Sequence, residues 1–114
     1  MKIDTYQFGS VTIDGKAYTK DIVIHNTSIE KRKKKKSKQY KSQYGHTPLS
    51  VEENIPWECK KLVIGTGVHG KLPVMDEVKQ EANRRGVDLI IRTTPEALDY
   101  LNEPETNLIL HLTC

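Results

Sequence analysis

Two apolar runs flanking a charged amphipathic stretch form the strongest pattern along the chain. Leu62-Val63-Ile64 breaks on Gly65-Thr66-Gly67-Val68-His69-Gly70, and the apolar pattern returns as Val87-Asp88-Leu89-Ile90-Ile91. Between them Val74, Val78 and Ala82 recur at spacing four with Met75 beside them, which makes the single stripe of a helix lying on a sheet. Asp76 and Glu77 fall in its first turn, Arg84 and Arg85 in its last, and Gly86 ends it, as the helix dipole and a left-handed C-cap prefer. The unit reads strand, glycine loop, helix, strand.

The same logic extends to both ends. Thr94-Pro95-Glu96 predicts a second helix with Thr94 as N-cap and Pro95 at the first helical position. Ala97, Leu98 and Leu101 face inward, and Asn102 and Pro104 stop it. Leu108 to Cys114 reads as a last, buried strand. Upstream, Lys2 to Phe8 and Asp21 to His25 read as strands. Val11-Thr12-Ile13 and Lys16-Ala17-Tyr18 flank Asp14-Gly15, a hairpin turn supplying positive φ. Asn26 to Thr47 shows no periodic apolar pattern and reads as a basic, mobile, extended loop at about 27–47. Ser50-Val51-Glu52-Glu53 fits a capping box opening a short helix that Pro56 closes. The order β-β-β, then β-α-β-α-β, predicts one domain over residues 1–114. It is a three-layer α/β domain with a central mixed sheet, an N-terminal hairpin and no internal repeat.

Composition changes this picture at one place. With 36% hydrophobic and 29% charged residues the chain is typical of a soluble globular domain, and no run reaches the roughly 20 apolar residues of a membrane span. The net charge of +3, however, averages two unlike parts. Lys31, Arg32, Lys33, Lys34, Lys35, Lys36, Lys38 and Lys41 are eight cations in a stretch without an acid, so the rest of the chain carries −5. Met1 to Tyr6 shows no apolar signal core, which makes a cytoplasmic location the expectation. Two cysteines are too few for a disulfide-built scaffold.

Candidate chemistry concentrates on the glycine loop. Gly65, Gly67 and Gly70 satisfy G-x-G-x-x-G between a strand and a helix. Two features oppose a dinucleotide site: Pro73 delays the helix past the third glycine, and the second strand ends in Arg92-Thr93-Thr94 where an acid would hold the ribose. A tight turn is the favoured reading. A weaker version has the amides around Thr66 to Gly70, the hydroxyls of Thr66, Thr93 and Thr94 and the charge of Lys71 face one anion, with Gly65, Thr66, Gly67, His69, Lys71, Thr93 and Thr94 as the candidate ligand-binding residues. The basic run, with Tyr40 and Tyr44 nearby, suits nucleic-acid phosphates, an acidic protein or a membrane surface, and a solvated loop explains it equally. His25, His46, His69 and His111 show no metal spacing, and no catalytic triad can be assembled. No metal or cofactor is expected.

Five motifs in order carry a resemblance: Phe8 to Lys16, Asp21 to Ile24, Leu62 to Gly67, Thr93 to Ala97, and His111 to Cys114. Together they resemble a widespread family of small one-domain proteins named after a hypothetical protein of a methanogen. That family includes the adipogenesis-associated domain protein and a mitochondrial assembly factor for respiratory complex one. The likeness lapses only around Thr27 to Gln43. It implies an archaeal member with a three-layer α/β fold, no established reaction, and for the mitochondrial relative a role in protein assembly. It also implies that the last strand runs antiparallel beside residues 62 to 65, making Cys59 and Cys114 neighbours able to form a disulfide contributing about 4 kcal/mol.

The resulting expectation is a non-catalytic binding or assembly module, a monomer or weak homodimer with a protein partner and an anion pocket at Gly65 to Lys71. The alternatives are an enzyme or sensor for a small phosphorylated ligand, and nucleic-acid binding through Lys31 to Lys41.

Overall fold

The computed structural model describes all 114 residues. Eight strands form two sheets. β1 (Ile3–Gln7), β2 (Ser10–Ile13) and β3 (Lys16–Tyr18) make an antiparallel three-stranded sheet, the β2–β3 turn being Asp14-Gly15 with both residues at positive φ. The second sheet has five strands: β4 (Ile22–His25), β5 (Ser28–Lys31), β6 (Lys61–Gly65), β7 (Asp88–Arg92) and β8 (Thr106–Leu110). Its order is β5-β4-β8-β6-β7, antiparallel on the β5-β4-β8 side and parallel across β8-β6-β7. The domain is therefore mixed α/β with three helices: α1 (Lys41–Tyr44), α2 (Asp76–Arg85) and α3 (Thr94–Ala97).

Alternation along the central strands builds two cores, one on each face. Ile22 and Ile24 of β4, Val63 of β6, and Leu108 and Leu110 of β8 pack with Val11 and Ile13 of the small sheet and with Ala97 and Leu101. Leu62 and Ile64 of β6 and Ile109 of β8 point the other way, onto Val78 and Ala82 of α2, with Leu49 and Ile55 completing that layer. β8 is buried along its whole length, as a strand covered on both faces must be. α2 opens with Asp76 and Glu77 and closes on Gly86 in the left-handed conformation as expected, but Val74, read as part of its stripe, lies before it and bridges Leu49, and Met75 is its extended N-cap residue.

Four local expectations are corrected. The stretch read as an extended mobile loop contains β5, paired to β4 after a turn in which Asn26 takes a φ of 55°. A 3-10 helix (Lys35–Tyr40) running into α1 follows. Arg32 and Ser37 within it are buried at 3% and 0% exposure, so this segment folds onto the body. Residues 50–53 form a turn and no helix, because the Ser50 hydroxyl and the Glu53 carboxylate are used by Ser37 and Arg32. The cap of α3 is Thr93 rather than Thr94: the Glu96 carboxylate accepts from the Thr93 N–H and hydroxyl, which also holds the Glu96 carboxyl below its usual range.

The fourth concerns the cysteines. β8 runs parallel to β6, with Lys61 opposite Thr106 and Gly65 opposite Leu110. Cys59 precedes the start of β6 and Cys114 follows the end of β8, so a strand length of roughly 17 Å lies between them, far beyond disulfide reach. Both thiols are free; Cys59 bonds the Pro56 carbonyl, and burial pushes its thiol up.

Gly67 tests the close packing at the sheet edge. Its φ is +104°, and a Cβ there would lie 2.3 Å from the carbonyl carbon of Cys114. Gly67→Ala is expected to lower unfolding free energy by more than about 2 kcal/mol in urea titration, whereas Gly15→Ala meets no neighbour and pays only for its turn conformation.

Candidate functional site

The crevice that an open α/β sheet offers lies at the carboxyl ends of its parallel strands. Here it falls between β6 and β8, since β6 leads to α2 and β8 is reached from α3 on the other face. The chain fills it itself. Val68 N–H donates to the Thr113 carbonyl, and the His69 and Lys71 N–H groups both donate to the Cys114 carbonyl at 3.0 Å. Thr66 N–H and its hydroxyl donate to the Arg92 carbonyl, and Gly67 N–H donates to the Thr94 hydroxyl, which in turn donates to the His111 carbonyl. A Cβ on Gly65 would come within 2.9 Å of Leu110 and Thr94.

The seven loop candidates thus divide by job. Thr66 ties the loop to the end of β7, Gly67 and Thr94 tie it to α3 and the segment after β8, Gly65 packs against Leu110 and Thr94, and Thr93 caps α3. His69 and Lys71 are exposed, their amides spent on residue 114. No free N–H cradle is left for an anion there, which corrects the expectation.

One strand over, between β8 and the segment after β5, a different site is built. A cleft of about 200 Å³ is lined by Arg32, Lys34, Lys41 and His46 from the basic segment and by His111, Thr113 and Cys114 after β8, with Thr47 and Leu72. It contains no acidic lining residue. Behind it stands a buried ion network. Arg32 makes a two-pronged bond to Glu53, with Nε and Nη2 each 2.8 Å from a carboxylate oxygen. It also reaches Asp21 Oδ2 at 3.0 Å and the Pro48 carbonyl at 3.1 Å. The Ser37 hydroxyl adds a third donor to Glu53, 2.6 Å away.

Asp21 links this network to the cleft. Its Oδ2 is 2.8 Å from His111 Nδ1 and its Oδ1 accepts the Leu112 N–H. Burial pushes its carboxyl up, but the His111 bond and charge, the Leu112 N–H and the Arg32 charge outweigh that and hold it at about 2. An ionised carboxylate only accepts, so the proton in the Asp21–His111 bond sits on Nδ1. Nε2 then faces the Thr113 hydroxyl at 3.3 Å.

Asp21, Glu53, Ser37 and Thr113 were not read as site residues in the sequence, Glu53 having been assigned to a capping box. The available signal was that Arg32 is the one arginine in a lysine tract, and arginine is the cation that suits two-pronged burial against carboxylates. The chain holds no group of three potential ligands placed for a metal ion, and no helix is long and apolar enough to cross a membrane.

The topology and this site define a small mixed α/β domain with a basic cleft beside its central sheet. The chain belongs to the family described as a protein of unknown function, DUF498/DUF598, matched over residues 3–105. It is similar to a conserved hypothetical protein of Pyrococcus horikoshii OT3, with 34% identity, complete coverage of both chains and a TM-score of 0.81. It is also similar to the protein MT938, with 28% identity over 98% of this chain and 97% of that one and a TM-score of 0.71, in line with the resemblance read from the motifs. An outer membrane protein of Bartonella henselae shares the fold at 14% identity, a TM-score of 0.66 and coverage of 98% and 94%. Among curated proteins there is no significant sequence match.

The Asp21 carboxyl sets a pH dependence. Its folded value of about 2 lies below the ordinary 3.8, so its stabilisation is complete above pH 4 and is lost as pH falls through about 2. Asp21→Asn is expected to cost about 2 kcal/mol at neutral pH, with the gap to the natural protein closing between pH 4 and 2 in acid-unfolding curves.

Proposed function

We propose that the protein is a non-catalytic binding or assembly module whose ligand site is the basic cleft beside His111. The observation that carries this reading is the convergence of Arg32, Lys34, Lys41, His46 and His111 on one small cavity with no acid lining it. Arg32 and His111 are held from behind by Asp21 and Glu53, so the cleft is preorganised for a compact anion such as a phosphate or carboxylate group. A protein partner would present that group on a side chain or chain end.

The reading as an enzyme or sensor for a small phosphorylated ligand has one observation in its favour. Asp21, His111 and Thr113 stand in line, an arrangement suited to moving a proton at His111 Nε2. Turnover of a bound phosphomonoester would decide for it.

A low-salt thermal-shift screen with phosphate, pyrophosphate and nucleotides tests the binding reading. A ligand at a hundred times its dissociation constant adds about 2.7 kcal/mol, a rise of several degrees for a domain of this size. That rise is expected to vanish in Lys41→Ala/His46→Ala and to persist in Lys71→Ala, since Lys71 does not line the cleft. A rise lost with Lys71 would return the site to the glycine loop, and a flat screen would contradict an anion site.

A further inference from the structure

The basic cleft does not stop at its own walls. Arg32 and Lys34, which line it, also line an adjoining hollow of about 490 Å³, whose other walls are Lys20, Lys31, Lys33, Lys35 and Lys38. Lys20 and Lys31 in turn line a groove of about 310 Å³ between β3 and β5, the unpaired edges of the two sheets. Three concavities therefore adjoin one another, neighbouring ones sharing two lining residues. No Asp or Glu lines any of them, although the chain outside Lys31 to Lys41 is net negative. The far groove adds an aromatic side chain: the half-buried Tyr18 packs in part on the core, and Lys16 Nζ lies over its ring 5.4 Å from the centroid, so a stacked base takes the place of that ammonium.

We propose that this track binds single-stranded nucleic acid, with lysines following the phosphates and Tyr18 stacking one unpaired base. The chemistry matches what such ligands require: a continuous cationic groove for the backbone and an aromatic face for a base, with no demand on sequence. The lysines act as point charges on phosphates. The one arginine of the track is committed inside the ion network, so base edges are not read by an arginine fork.

Three features select this occupant over other polyanions. A duplex keeps its bases stacked on each other and leaves Tyr18 without a partner. A lipid surface calls for exposed apolar anchors beside the charges, and the large exposed apolar residues Phe8, Tyr44 and Val51 line none of the three concavities. The track is also held in shape. Buried Arg32 and Ser37 pin the lysine-bearing segment at two points, so its charges are presented in a fixed arrangement and not spread by mutual repulsion.

Fluorescence anisotropy with labelled single-stranded RNA and DNA of about 12 nucleotides, on the full chain between about 50 and 200 mM salt, tests the proposal. Single strands are expected to bind with log affinity falling steeply against log salt. Lys31→Gln/Lys33→Gln/Lys35→Gln is expected to flatten that slope by about two, from roughly 0.7 per phosphate contact. Tyr18→Ala is expected to weaken binding about tenfold at fixed salt with the slope unchanged, and Tyr18→Phe to restore it. None of the three lysines lines the small cleft, so the thermal shift by phosphate survives their replacement and the two readings fail separately. The proposal is overturned by absence of single-strand binding at the lowest salt or by a slope untouched in the triple variant. Duplex DNA, anionic vesicles or an acidic peptide binding as tightly as the single strand would overturn it as well.

Discussion

The Arg32 guanidinium is the tie on which the functional half of the molecule depends. It joins four places far apart in the chain: Asp21 just before β4, Pro48, Glu53, and through Asp21 the His111-Leu112 segment beyond β8. A buried ion pair is not in itself a strong source of stability, because desolvation offsets most of the Coulomb gain. Its effect here is positional. Removing Arg32 or Glu53 would leave a buried charge without compensation, a cost of about 3–5 kcal/mol, so the segment carrying the lysines has little freedom to dock elsewhere. Repulsion among Lys33, Lys34, Lys35 and Lys36 alone would spread that segment into solvent; the pins at Arg32 and Ser37 oppose it.

A second constraint follows from the parallel pairing of β6 and β8. Parallel strands bring their carboxyl ends to the same edge, and the residues after β8 enter the crevice that the glycine loop would otherwise present to a ligand. Gly67 has no Cβ because Cys114 passes there, and the loop amides serve the chain's own carbonyls. The glycine pattern is therefore architectural, and the open surface moves to the other side of β8. There His111, the first residue past the strand, meets the basic segment.

How much of this was legible depends on whether the signal was local. α2 carried its own charged ends and closing glycine, and the Asp14-Gly15 turn announced its hairpin, so both elements form, α2 starting two residues after Val74 of its expected stripe. The cap of α3 was missed by one residue although Glu96 lies three after Thr93, the spacing a capping box requires. β5 was hidden because an edge strand has few apolar positions, and Ile29 alone does not make an alternation. The ion network was invisible for a different reason: Arg32, Asp21 and Glu53 lie 11 and 21 residues apart, and nothing local says that they meet. The resemblance supplied the fold but the wrong direction for the last strand. The crossover from β7 through α3 passes over β6 and returns the chain as β8 on its other side, parallel to both, and this places the two cysteines at opposite ends.

Both the cleft and the lysine track require the basic segment to be a built surface and not a tethered chain, and native-state hydrogen exchange of its amides tests this most directly. Arg32 N–H donates to the Asp21 carbonyl at 2.8 Å and Ser37 N–H to the Lys34 carbonyl at 3.0 Å. Both are predicted to exchange orders of magnitude more slowly than in an unstructured peptide, and Arg32 with a protection close to that of the β4 amides. Exchange of both at the rate of a free chain would contradict the fixed cleft and the lysine track built on it.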